Sequence, residues 1–62
     1  MIYTVRFTRL ADNRVMQTLQ FGDLAEARSE AEFAVIGGQG PVEVTIVDDA
    51  GQEHFLRVFD DI

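Results

Sequence analysis

Two short turn signals, Leu10-Ala11-Asp12-Asn13-Arg14 and Asp48-Asp49-Ala50-Gly51-Gln52, each stand between two stretches in which apolar and polar residues alternate. That arrangement leaves few folds open. Before the first turn, Tyr3, Val5 and Phe7 alternate with Thr4, Arg6 and Thr8; after it, Val15, Leu19 and Phe21 alternate with Met16, Thr18 and Gln20. A period of two is the side-chain repeat of a half-buried strand. Asn13 tolerates the left-handed conformation that closes a type I turn of this length. With Leu10 opposite Arg14, Val5 faces Leu19 and Tyr3 faces Phe21, so both apolar sets fall on one face.

The second half repeats the device. Val42, Val44 and Ile46 form one strand, His54, Leu56 and Val58 another, and Gly51 takes the left-handed position between them. Pairing Asp48 with Gln52 sets Val44 against Leu56, Val42 against Val58 and Ile46 against His54. Glu43 then lies opposite Arg57 on the outer face, an opposite-charge pair.

Between the hairpins, Asp23 to Ile36 reads as a helix. Asp23 is a cap and Glu26 stands three residues later, a capping-box spacing with carboxylates at the positive end of the helix dipole. Gly37-Gly38 supplies the stop and Gln39-Gly40-Pro41 the link onward. Leu24, Ala27, Ala31, Ala34 and Val35 share a stripe of about 100°, the face expected to pack on a sheet.

The layout predicts an α+β domain, ββαββ, with a four-stranded sheet and the helix on one face. The first and last strands carry apolar residues on both faces, which points to the centre of a sheet. A right-handed crossover would set them side by side and parallel. In this layout the chain resembles the β-grasp fold and, in length, the immunoglobulin-binding domains of protein G; Met1-Ile2-Tyr3 and the Asp48-Asp49-Ala50 turn look like the corresponding pieces. The resemblance implies a fold and carries no binding residues with it. The alternative is an all-antiparallel ββαββ sheet.

At 62 residues without cysteine, residues 1–62 are expected to form a single domain with no disulfide or thiolate metal site. So small a domain gains stability from self-association, which makes a homodimer an expectation. No apolar run approaches the roughly 18 residues of a membrane-spanning helix, and the first residues lack the blocks of a signal peptide. A soluble cytoplasmic protein without membrane contact is expected.

Groups for covalent or acid–base chemistry are few, so no enzyme activity and no cofactor are expected. His54 is the single histidine, on the inward parity of its strand, and reads as half-buried and structural. Gly37, Gly38 and Gly40 follow a helix instead of leading into one, so they are no phosphate loop. Asp48, Asp49 and Glu53 surround one turn but lack the spacing of a calcium loop, and Asp60-Asp61 reads as a solubilising tail.

Charge is sorted along the chain. Residues 1–22 carry a balance of +2 and residues 23–62 a balance of −8. On the outer helix face Phe33 stands among Asp23, Glu26 and Glu30, an aromatic anchor ringed by steering carboxylates; Asp48, Asp49 and Glu53 extend the acidic set. The uncovered sheet face is expected to show Arg6, Phe55, Arg57 and Phe59, a patch suited to homodimer packing. Such a face also suits single-stranded nucleic acid, but the net charge of −6 argues against it.

The expected function is therefore a small acidic protein-binding module that docks on a basic, nucleic-acid-binding surface of another protein and occludes it. A tiny acidic chain of this kind is similar in type to inhibitors made by phages and mobile elements, including anti-CRISPR proteins. The rival expectation is a homodimeric structural or accessory domain joined through the open sheet face.

Overall fold

The computed structural model describes residues 1–32 and 40–59 of the chain. Five elements follow one another: β1 (Tyr3–Arg9), β2 (Arg14–Phe21), α1 (Leu24–Glu32), β3 (Val42–Asp48) and β4 (Glu53–Phe59). They build one antiparallel sheet in the order β2-β1-β3-β4, with α1 packed on one face. The ββαββ architecture expected from the sequence is the one formed, in its all-antiparallel version. β1 lies beside β3, antiparallel to it, and the parallel β1–β4 pairing of a β-grasp sheet is not made.

Both turns form as their residues dictate. Asn13 has φ 54° and Gly51 φ 84°, the left-handed conformations that Asn tolerates and Gly adopts without a Cβ penalty. Asp12 locks the first turn, accepting Arg9 Nε at 3.0 Å and Nη2 at 2.7 Å and the Arg14 amide at 3.3 Å. Near the helix start, Asp23 Oδ1 accepts the Ala25 amide at 3.0 Å, so this residue is the cap the sequence indicates.

The strand registers depart from uniform alternation at two points. In the first hairpin Tyr3 pairs with Phe21 and Val5 with Leu19 as expected, but a bulge after Phe7 sets Thr8 against Val15. Met16 then packs against the core and Val15 is exposed. In the second hairpin the irregularity falls at Ile46/Val47, where His54 is the extra residue. Beyond it Ile46 pairs with Phe55, Val44 with Arg57 and Val42 with Phe59, one residue off the expected register. A one-residue slip exchanges the two faces of a strand. Phe55 and Phe59 therefore turn to the helix side and pack against the core, while Leu56 and Val58 face outward. The expected Glu43–Arg57 pair is not formed; Glu43 lies opposite Val58.

The core sits between α1 and the central strands: Val5 and Phe7 from β1, Val42, Val44 and Ile46 from β3, and Ala27 and Ala31 from the helix. The two alanines, fully buried, let the helix axis lie close to the sheet. Ala34, Val35, Ile36 and the Gly37-Gly38 stop lie outside the described residues. A hydrogen bond from the Leu10 amide to the Pro41 carbonyl, 3.0 Å, ties the end of β1 to the approach to β3.

Candidate binding surfaces

One row of the sheet decides how the charges are placed. Phe21, Tyr3 and Asp48 are cross-strand partners at one end, whereas Arg14, Arg9 and Val42 are partners at the other. The chain enters α1 three residues after Phe21, past Gly22 and Asp23, and enters the second turn directly after Asp48. The helix N-terminus and the β3–β4 turn thus emerge at the same end of the molecule. Asp23, Glu26, Asp49 and Glu53 are exposed there, and Glu30 lies one helical turn further along. Arg9 and Arg14 occupy the opposite end. Among the described residues four exposed acids gather at one end, while at the other Asp12 pairs with Arg9; Asp60 and Asp61 lie outside the described residues.

Nearby cations neutralise little of the acidic end. Arg28 approaches Glu32 at 3.9 Å with both side chains largely exposed, a contact of small energetic consequence. Phe33, expected as the anchor among these carboxylates, lies outside the described residues.

Asp48 does not belong to the exposed acidic set. Its side chain is only 3% exposed, and its carboxylate is fully engaged. Oδ1 accepts the amides of Ala50 and Gln52, each at 2.9 Å, closing the turn from within. Oδ2 lies 2.7 Å from His54 Nε2; an ionised carboxylate has no proton to give, so the imidazole donates. Tyr3 meets the His54 ring edge to face at 5.4 Å between centroids. His54 is half-buried and structural, as its sequence context suggests, but it occupies a bulge and not the place opposite Ile46. An Asp that opens a turn, with Gly three residues on, is the signal that marks Asp48 as a turn-closing acceptor.

These bonds set a pH dependence. The His54 hydrogen bond, followed by that from the Gln52 amide, holds the Asp48 carboxyl below the ordinary carboxylate range, against a smaller opposing effect of burial. A carboxyl depressed in the folded state adds stability that is complete above its unfolded value, about 4, and disappears as pH falls through the folded value. Urea midpoints are expected to be level from pH 7 to 5 and to fall below pH 4. In Asp48→Asn the acid limb should be visibly shallower, because the replacement cannot be protonated in that range. An unchanged acid limb would remove Asp48 from the account.

The open sheet face also differs from expectation. Phe55 and Phe59 are withdrawn from it, and Arg57 lies on the helix side, its guanidinium 5.0 Å from the Phe59 ring centroid. Arg6 remains, exposed and central, between Thr18 and Thr45. Beyond Thr45 in the same row stands Leu56, 57% exposed, and Val58 follows at 49%. The apolar element of this face is aliphatic, a consequence of the His54 bulge.

Among the described residues no helix is long and apolar enough to cross a membrane. No protein-family model, curated protein or solved structure matches the chain.

Proposed function

We propose that this protein is a small non-enzymatic binding module whose acidic end docks on a cationic surface of another protein. The observation that carries this reading is the shared end of the fold at which α1 begins and β3 turns into β4, where Asp23, Glu26, Asp49 and Glu53 are exposed together. Four carboxylates on one end, with Arg14 and the Asp12-paired Arg9 at the other, orient the molecule toward a positive partner and speed the encounter. A surface rich in Lys and Arg that ordinarily holds nucleic acid is a partner of matching chemistry. Covering it with carboxylates displaces the phosphates, which would make the protein an inhibitor similar in type to those of phages and mobile elements, anti-CRISPR proteins included.

The test is capture from host lysate by the wild-type protein and by Glu26→Arg/Asp49→Arg. A nucleic-acid-binding protein should be retained by the wild type at low salt and lost in the variant, with affinity down at least about tenfold. The purified partner's shift of labelled DNA or RNA should be relieved by the wild type and spared by the variant. Equal capture by both proteins, or a partner whose nucleic-acid binding is unaffected, overturns the proposal.

A further inference from the structure

We infer that the open sheet face is the interface of a homodimer in which a second copy packs sheet to sheet. A helix covers the other face; among the described residues this one carries no layer of its own, and it is built for a flat approach. Thr4, Thr8 and Thr45 are short, β-branched and half-buried, and Leu56 and Val58 continue the surface as exposed aliphatic side chains. Such a surface admits a facing sheet at about 10 Å.

Charge selects the occupant. Arg6 is the one cation among the described residues of this face; Glu43 stands one row away on β3, diagonal to it across the Thr8–Glu43 and Arg6–Thr45 pairs, and a second acid, Glu53, stands opposite Val47 at the turn end of the face. Among the described residues neither Arg6 nor Glu43 forms an ion pair within its own chain. A two-fold axis lying between two such faces brings each Arg6 over the partner copy's Glu43 and each Glu43 over the partner copy's arginine, so the patch complements itself. A face carrying one sign of charge would repel its copy. Seven-residue strands and a four-strand width give a face of roughly 23 by 19 Å, so two copies bury about 900 Å² in total. That area is below the roughly 1,200 Å² of stable specific interfaces and fits a weak, reversible dimer. This inference is independent of the acidic end, since it is read from the pure protein alone.

Sedimentation equilibrium from 10 µM to 1 mM should show a monomer–dimer equilibrium. Arg6→Glu and Glu43→Arg should each weaken it at least tenfold, and the double exchange Arg6→Glu/Glu43→Arg should restore it to within about threefold, since the pair is then reversed but intact. In the wild type, concentration-dependent amide shifts should centre on Arg6, Thr45 and Leu56, a readout that needs no variant to fold. A monomeric mass up to 1 mM, a dimer indifferent to both single reversals, or shifts centred on α1 overturns the inference.

Discussion

Replacing Ile46 with alanine is expected to cost about 3–4 kcal/mol, the upper half of the range for a large aliphatic residue cut back in a closed core. Ile46 is fully buried at the middle of the sheet, flanked by Val5 on β1 and Phe55 on β4. Among the described residues few share its burden: the fully enclosed aliphatic set is Val5, Val42, Val44 and Ile46, joined by Phe7 and two alanines. A cavity here has poor prospects of collapsing, because both neighbouring strands are held in ladder and the helix already sits close on its alanines. A domain of 62 residues has a total stability of roughly 3–9 kcal/mol, so the substitution removes a large part of it. Urea unfolding should show a much lower midpoint at unchanged slope, and Ile46→Val should cost only about 1 kcal/mol. A loss below 1 kcal/mol for the alanine variant would mean that Ile46 is not enclosed as described.

The elements themselves were legible because each rests on local chemistry. Asn13 and Gly51 permit the positive φ that the two turns need, Asp23 supplies a cap acceptor, and alternation marks each strand. The outer part of the first register was legible for the same reason, since Tyr3–Phe21 and Val5–Leu19 keep both apolar sets on one face. Strand order was not. Apolar residues on both faces of the last strand suggested a central position, yet β4 is an edge. Its two-sided pattern has a different cause: Phe55 and Phe59 face the core, while Leu56 and Val58 lie exposed on the other face. Two-sided hydrophobicity reports what lies above and below a strand and is silent about what lies beside it. The candidate site was legible in proportion to locality. Asp23, Glu26, Glu30, Asp49 and Glu53 are exposed as expected, but Asp48 was counted with them although turn amides and His54 claim both its oxygens.

The bulge at His54 makes the second large prediction, because it assigns opposite roles to adjacent residues. Phe55→Ala should cost about 2–3 kcal/mol, whereas Leu56→Ala, at an exposed position, should cost no more than about 0.5 kcal/mol for the monomer. Uniform alternation from the Asp48–Gln52 pair gives the reverse, with Leu56 against the fully buried Val44 and Phe55 in solvent. Physical reasons favour the bulge. It lets His54 reach Asp48 Oδ2 at 2.7 Å and meet Tyr3, and it sets two phenyl rings beside Ile46 and Val42 on the core face. Burying a phenylalanine in place of a leucine or valine at two positions removes more apolar surface from water, which offsets the unpaired residue in the ladder. Urea unfolding of both variants at low micromolar concentration separates the registers directly. A costly Leu56→Ala beside a mild Phe55→Ala would mean an unbroken ladder with phenylalanines on the open face. The predicted order fixes Leu56 as surface, available to a second copy, and Phe55 as core.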